Sequence, residues 1–143
     1  MNSNESDMEN PRLIICAKER QLIMSWIIGS TPADISISHS LDKLYAELEQ
    51  ADIRQESELP HDVVRVNSIV TIQAPSGRKE GLQLVMPRDA DLKANKLSVF
   101  TVMGSALVGY REGTTIIWKL PKGEETIYLE KVDNSKVSSK VGG

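Results

Sequence analysis

The sequence predicts an α+β protein: an N-terminal antiparallel helical hairpin, in the form of a short coiled coil, followed by a bent antiparallel sheet that holds one short helix. Apolar residues recur every three or four positions in the first part of the chain and every second position from Val63 onward. In the stretch 97–123, Gly and Pro fall only where the chain must change direction. We divide the chain into a disordered tail at 1–10, the hairpin at 11–58, the sheet domain at 59–133 and a flexible tail at 134–143.

Length and composition are those of one domain with an appendage, since the chain has 143 residues. Charged residues make up 26% and the formal net charge is −3, which gives no basic surface for nucleic acid. We therefore expect no direct sequence-specific nucleic-acid binding. The single cysteine, Cys16, excludes an internal disulfide and a multi-cysteine metal site. We interpret it as a small buried apolar residue.

The chain carries no recognisable targeting or membrane signal. Its first ten residues are polar and acidic, whereas a signal peptide begins basic and continues apolar. The apolar run from Leu13 to Cys16 is far too short to cross a bilayer. We expect a cytoplasmic protein without membrane association.

The first predicted helix covers Ala17 to Ile28, after a short extended run that ends at Cys16. Gly29 is expected to end the helix, and 30–34 to form the turn of the hairpin. Its apolar residues recur on one face; they are Leu22, Ile23, Trp26 and Ile27.

The second predicted helix begins between Ser36 and Ser40 and runs to about Gln55. Its apolar residues are spaced by three and four positions, which is typical of a coiled-coil seam; they are Leu41, Leu44, Leu48 and Ala51. Two helices joined by so short a turn form an antiparallel hairpin.

The strands of the sheet domain are predicted from period-two alternation and from the turns between them. We expect a pair of strands within 63–72, interrupted at Asn67-Ser68, and a return strand at 82–86 after the turn Pro75-Ser76-Gly77. The remaining elements are a strand at 97–102, a short helix at 103–108, a strand at 114–120, a turn at Pro121-Lys122-Gly123 and a last strand at 126–132.

The sequence offers no convincing catalytic or metal site. His39 and His61 are the only histidines, and His61 is followed by Asp62, a pair that invites an acid–base interpretation. Neighbouring residues on an extended strand point to opposite faces, however, and no nucleophile motif is present. We expect Asp62 to form hydrogen bonds at the junction between the hairpin and the sheet, His61 to pack there, and His39 to be a helix N-terminal residue. We predict no catalytic residue, no metal ligand and no cofactor.

Two segments resemble a known family. Residues 101–109, followed by Gly113 and the Pro121-Lys122-Gly123 turn, resemble the C-terminal signature of Gre-type transcript-cleavage factors, S-P-x-G-x-A-L-x-G, then G-D, a strand and P-x-G. The glycines and Ala106-Leu107 match, whereas Thr101-Val102 replaces the Ser-Pro pair and Thr114 replaces the acidic residue. Residues 59–70, LPHDVVRVNSIV, are similar to the junction segment of the short regulators of nucleoside diphosphate kinase. Over 41–132, the chain is identified as a member of the GreA/GreB C-terminal-domain family, nearest to that short branch.

The resemblance implies an FKBP-like sheet domain and RNA polymerase as the protein partner. Gre factors insert their helical hairpin into the secondary channel of the polymerase, where acidic tip residues help to hold a metal ion. Here the expected tip, 30–36, carries only Asp34 and the hairpin is short. The resemblance therefore implies a transcription elongation factor that is not an enzyme and docks near the secondary channel without cleaving transcripts.

The Ser-Pro loop of the family faces the polymerase, so the resemblance assigns partner binding to the matching positions. These are Thr101, Val102 and Met103, with Gly104 permitting close backbone approach. A second interpretation stays open, in which Val102 and Met103 are simply core residues.

Two other functions are consistent with parts of the pattern. A peptidyl-prolyl isomerase-like enzyme would follow from the FKBP-like fold by analogy, and its apolar pocket would have to be built from Phe100, Tyr110 and Trp118. A self-associating adaptor would follow if the seam of the second helix paired between chains. We expect a monomer.

Overall fold

The computed structural model describes residues 10–32, 34–120 and 123–137. Nearly all of the predicted tail at 1–10, much of the tail at 134–143 and two of the three residues of the turn at 121–123 lie outside the described residues. The described chain is a mixed α+β structure with two long helices in its first half and a mixed sheet in its second. In the part that the structure describes, no helix is long and apolar enough to cross a membrane.

The first half consists of β1 (Ile14–Cys16), α1 (Ala17–Gly29), α2 (Ile35–Glu49) and β2 (Asp52–Arg54). The predicted bounds of α1 are correct to within one residue. The prediction that α2 continues to about Gln55 is wrong, because the chain leaves the helix after Glu49 and β2 pairs in parallel with β1. Backbone partners supplied by a distant segment outweigh the local helix preference of these residues.

The main sheet contains β3 (Ile69–Ala74), β4 (Gly77–Val85), β5 (Lys96–Ser98), β6 (Thr115–Leu120) and β7 (Gly123–Asp133), in the order β5-β4-β3-β7-β6. The two-residue turn at Pro75-Ser76 joins β3 and β4 as predicted. The prediction of a wholly antiparallel sheet is wrong, since β5 pairs with β4 in parallel. The long connection at 86–95 carries the chain back to the same end of the sheet, which a parallel pair requires.

Several predicted strands have different bounds because the chain bends where sequence periodicity suggested continuity. The strand predicted at 97–102 ends at Ser98, and helix α3 covers Val102–Ser105 in place of 103–108. Before Ile69, Val63 forms an isolated bridge to Arg111. The register of β3 shifts next to Ile72 against both neighbouring strands, an irregularity that bends a sheet.

One continuous core joins the helices to the sheet. It includes Ile23 of α1 and Leu44 and Leu48 of α2 together with Ile72 and Ile116 of the sheet. The whole predicted seam of α2, with Leu41 and Ala51, is buried within its own chain. Pairing between chains through this seam would require the helix to leave the core.

Helix α1 is buried less completely than its sequence pattern suggested. Within α1, all of which the structure describes, Ile23 is the one fully buried residue, and Leu22 and Trp26 are 41% and 39% exposed. Arg20 Nε near the start of α1 donates to Leu48 O near the end of α2, at 2.8 Å. The apolar face of α1 therefore extends beyond the core that covers it.

An asparagine side chain pairs with the outer edge of the sheet. Asn10 Nδ2 donates to Ile117 O at 3.0 Å, and Ile117 N donates to Asn10 Oδ1 at 2.7 Å. Strand β6 is an edge strand, so this amide supplies the hydrogen bonds that a neighbouring strand would provide.

We expect Asn10→Ala to lower the free energy of unfolding by about 1–3 kcal/mol, because two hydrogen bonds to the sheet are lost. Urea denaturation followed by circular dichroism measures the change. Asn10→Asp keeps the acceptor for Ile117 N but places an anionic oxygen against Ile117 O, so it should destabilise as well. Unchanged midpoints for both variants would show that the edge does not need this side chain.

Candidate functional site

The predicted partner-binding residues lie in a tight corner of the chain at 98–105, between β5 and α3. Thr101 is the N-cap of α3: its Oγ1 accepts from Gly104 N at 2.9 Å and donates to Ser98 O at 2.8 Å. Ser98 Oγ accepts from Phe100 N at 2.9 Å. These bonds hold the 98–105 corner in one conformation.

The corner combines buried and accessible residues. Gly104 is buried, and a Cβ on it would lie 2.0 Å from Ser98 O. The close approach that Gly104 permits is thus to its own chain. Thr101, Val102 and Met103 are half-buried, and Met103 also packs against the core. Both interpretations therefore have a physical basis at Met103, because its side chain packs against the core and remains partly accessible, whereas Val102 is half-buried and lines the small pocket beside α2.

Helix α1 touches this corner through an aromatic pair. The rings of Trp26 and Phe100 have centroids 6.3 Å apart and an interplanar angle of 75°, an edge-to-face arrangement. Phe100 is half-buried and directly precedes Thr101. Sequence periodicity places Trp26 on an apolar face of α1 but does not indicate what that face contacts, so this pair could not be predicted from the sequence.

The connection between the helices has its acidic residue already engaged. Asp34 is exposed and is the N-cap of α2: its Oδ1 accepts from Ile37 N at 2.9 Å, and its carbonyl accepts from Ser38 N at 3.0 Å. Ile28 and Ile35, on either side of the connection, are each 72% exposed. Among the described residues, no group of three or more His, Cys, Asp or Glu side chains could hold a metal ion.

We expect Asp34→Ala to lower the free energy of unfolding by about 0.5–2 kcal/mol, the usual range for loss of an N-cap. Asp34→Asn keeps the acceptor oxygen without the charge and should stay near the parent protein. Thermal or urea denaturation compares the three proteins. Equal destabilisation by both substitutions would indicate that the charge, and not the cap, is what the protein uses at this position.

A half-buried ionic cluster joins the first helix, the junction and the sheet domain. Arg65 Nη2 lies 2.7 Å from both Glu19 Oε2 and Glu56 Oε2. The side chains of Arg65 and Glu19 are only 14% and 12% exposed. Burial raises the pKa of Glu19 despite the opposing effect of the Arg65 charge. Burial acts to lower the pKa of Arg65, but its hydrogen bond to Glu56 and the Glu19 carboxylate raise it overall.

The two histidines lie in different parts of the fold, His61 at the junction and His39 in helix α2. Asp62 accepts from Arg111 Nε at 2.8 Å, which confirms its predicted hydrogen-bonding role at the junction. The expected packing of the His61 side chain is wrong, because the residue is exposed and its carbonyl is what joins the junction, accepting from Asn134 Nδ2 at 2.8 Å. His39 lies in the N-terminal part of α2 and is exposed. Cys16 is buried, as predicted.

A small pocket between α2, α3 and β6 includes Tyr110 and Trp118 in its lining and has a volume of about 30 Å³. That volume holds one or two waters and not a prolyl ring. Within the described part of the chain, Trp118 Nε1 is buried without a hydrogen-bond partner. Phe100 is not among the lining residues of this pocket. This pocket therefore gives no support to the isomerase alternative.

The family model described as "Transcription elongation factor, GreA/GreB, C-term" matches residues 59–134, slightly more than half of the chain. The chain belongs to the GreA/GreB family. The matched part of this GreA/GreB chain contains β3 to β7 and the 98–105 corner. It is the half in which the sequence signature was recognised.

Relatives of this GreA/GreB chain extend the similarity beyond the matched domain. It is 41% identical over 127 residues to the regulator of nucleoside diphosphate kinase of Escherichia coli strain K12, covering 88% of this chain and 90% of that protein. It is 30% identical over 94 residues to transcription elongation factor GreA of Rhodopseudomonas palustris strain TIE-1, covering 65% and 60% respectively.

A solved structure of a prokaryotic transcription elongation factor GreA/GreB from Nitrosomonas europaea resembles this chain with a TM-score of 0.66 at 29% identity. The alignment covers 86% of this chain and 98% of that one. The mixed α+β architecture of this chain is therefore similar to that of this GreA/GreB structure over most of its length.

Proposed function

We propose that this protein is a non-catalytic transcription elongation factor that binds RNA polymerase near the secondary channel and does not cleave transcripts. The observation that carries the proposal is the connection between the helices, where the single carboxylate, Asp34, is engaged as a helix cap. In the same proposal the two helices form an antiparallel hairpin, the sheet domain is FKBP-like, and the protein acts in the cytoplasm.

The chemistry of transcript cleavage supports the distinction. A Mg²⁺ ion takes hard oxygen ligands, and a factor that helps to hold it must present carboxylate oxygens free for coordination. Asp34 Oδ1 accepts from Ile37 N, so ligating a metal through that oxygen would disturb the cap. The side chains flanking the connection are isoleucines, which supply no ligand.

The length of the helices points the same way. Helix α1 has 13 residues and α2 has 15. Fifteen residues span only about 22 Å at the helical rise. Part of that length is buried in the common core, through Ile23, Leu44 and Leu48. The distance that the helical hairpin can reach away from the sheet is therefore shorter still.

The 98–105 corner is the proposed contact with polymerase, through Thr101, Val102 and Met103. These side chains are half-buried, and the hydrogen bonds of Thr101 to Ser98 O and Gly104 N hold the backbone that carries them. A contact surface that is already ordered loses little conformational entropy on association. Because the α2 seam is buried in its own chain, we also propose that the factor binds as a monomer.

Retention of the full chain by immobilised core RNA polymerase tests this proposal. The parent protein should be retained at micromolar concentration, and Met103→Glu should not. Because Met103 also packs against the core, urea denaturation of this variant separates loss of contact from loss of folding. Leu92→Glu is the control, since Leu92 is a highly exposed apolar residue in the turn at 92–94. Absence of binding by the parent protein at that concentration would refute the proposal.

A further inference from the structure

We propose that Trp26 extends the polymerase-binding surface from the 98–105 corner onto helix α1. Helix α1 and the corner then bind RNA polymerase as one surface. This inference rests on the proposed function and adds to it a residue from the opposite half of the chain. The partner is RNA polymerase, and the contact that it offers Trp26 is an apolar one.

The first support is that the indole of Trp26 is both held in place and accessible. Its ring packs edge-to-face on Phe100, yet the residue remains 39% exposed. Leu22, one helical turn earlier on the same face of α1, is exposed to a similar extent. Large apolar side chains left in water at adjoining positions are typical of an interaction surface.

The second support is continuity with the proposed contact. Phe100 is followed directly by Thr101, and its backbone N–H is fixed by Ser98 Oγ at 2.9 Å. The indole therefore packs against the residue that immediately precedes the partner-binding residues. A partner that covers Thr101, Val102 and Met103 would need only a short extension to reach Trp26.

The third support is energetic. Tryptophan is among the residues whose truncation weakens protein interfaces most, provided that the ring is desolvated by the partner. Packing on Phe100 fixes the ring in advance, so that less side-chain entropy is lost on binding. A net charge of −3 disfavours nucleic acid as the occupant of this surface.

The test measures the affinity of the full chain for core RNA polymerase with three variants. Trp26→Ala should weaken binding by about tenfold or more, whereas Trp26→Phe should retain most of the affinity because an aromatic ring remains. Ile53→Ala is the matched control, since Ile53 is 42% exposed and lies in β2. Urea denaturation of each variant identifies any loss of folding.

A second measurement reports on position 26 without truncating it. In the Trp118→Phe protein, 5-hydroxytryptophan at position 26 is excited selectively, and polymerase should protect it from acrylamide quenching. If the parent protein binds polymerase but Trp26→Ala binds equally and the probe stays accessible, the inference is overturned while the proposed function stands. Protection that depends on the factor's own concentration without polymerase would instead identify a second copy as the occupant and overturn the inference. If the parent protein does not bind, the proposed function itself fails.

Discussion

Gly104→Ala should lower the free energy of unfolding by about 3 kcal/mol or more, the upper range for forcing extra volume into a packed site. The new Cβ would lie 2.0 Å from Ser98 O and 2.9 Å from Thr101 Oγ1. Ser98 O cannot retreat freely, because it accepts from Thr101 N at 3.1 Å and Ser98 is paired with Val85 in the sheet. Relief of the clash would thus break the N-cap of α3 or the edge of the sheet.

Urea denaturation of Gly104→Ala beside Gly29→Ala measures this effect. Among the described residues, no atom outside its chain neighbours and its own helix backbone lies within 4 Å of a Cβ placed on Gly29, and Gly29 ends helix α1. Its substitution should be neutral, or stabilising by up to about 1 kcal/mol, since alanine is the better helix former. If Gly104→Ala unfolds at the same urea concentration as the parent protein, the conclusion that Gly104 is closely packed in the 98–105 corner is wrong. Loss of polymerase binding by Gly104→Ala would report on folding and not on contact.

Arg65→Ala should lower the free energy of unfolding by about 3 kcal/mol at neutral pH, because it leaves a half-buried carboxylate without its charged hydrogen-bond partner. Glu19 is the residue affected most, since its side chain is 12% exposed and its Oε2 lies 2.7 Å from Arg65 Nη2. Glu56 is 28% exposed and can recover hydration. The same change in a Glu19→Gln background should have a smaller effect, since no buried charge is then left. Equal effects in the two backgrounds would contradict this account of the cluster.

The effect of Arg65→Ala should also depend on pH. Burial raises the pKa of Glu19 above its ordinary value of 4.5, so the folded protein holds this proton more tightly than the unfolded chain does. The resulting stabilisation is fully present below about pH 4.5 and is lost as the pH rises through the folded-state pKa. Without Arg65 the pKa of Glu19 in the folded protein is higher still. The loss of stabilisation therefore continues to a higher pH.

The difference in unfolding free energy between Arg65→Ala and the parent protein should therefore be largest at neutral pH and narrow towards pH 4.5. Hydrogen bonds from Arg54 and Arg78 lower the pKa values of Asp52 and Glu130, respectively. These two residues therefore make the free energy of unfolding increase with pH, opposite to the effect of Glu19. They do so in both proteins, so their effects cancel in the difference. Denaturation curves at several pH values test this, and a constant difference would contradict it.

Local patterns predicted most of the elements. The 3.6-residue periodicity and Gly29 predicted α1, and the Pro75-Ser76 turn predicted the pairing of β3 with β4. The features that were not predicted depend on residues distant in sequence. Strand β2 exists because β1 supplies its backbone partners, and β5 is parallel because a long connection returns the chain.

The residues of the candidate site also divide into those that the sequence predicted and those that it did not. The signature sequence led to Thr101, Val102, Met103 and Gly104, and composition led to Asp34 as the one acid of the tip. Neither gave the contact between Trp26 and Phe100 or the ion pair of Arg65 with Glu19, since each joins residues that are distant in the sequence. Asp34 could have been recognised as a helix cap, because it directly precedes the apolar pattern of α2.

The central claim is polymerase binding without transcript cleavage, and transcript release from stalled elongation complexes tests it most directly. The protein is added alone and together with an active cleavage factor, at constant Mg²⁺. We expect no release by the protein alone and a dose-dependent inhibition of the release caused by the cleavage factor. Release by this protein alone, abolished by Asp34→Asn, would contradict the account.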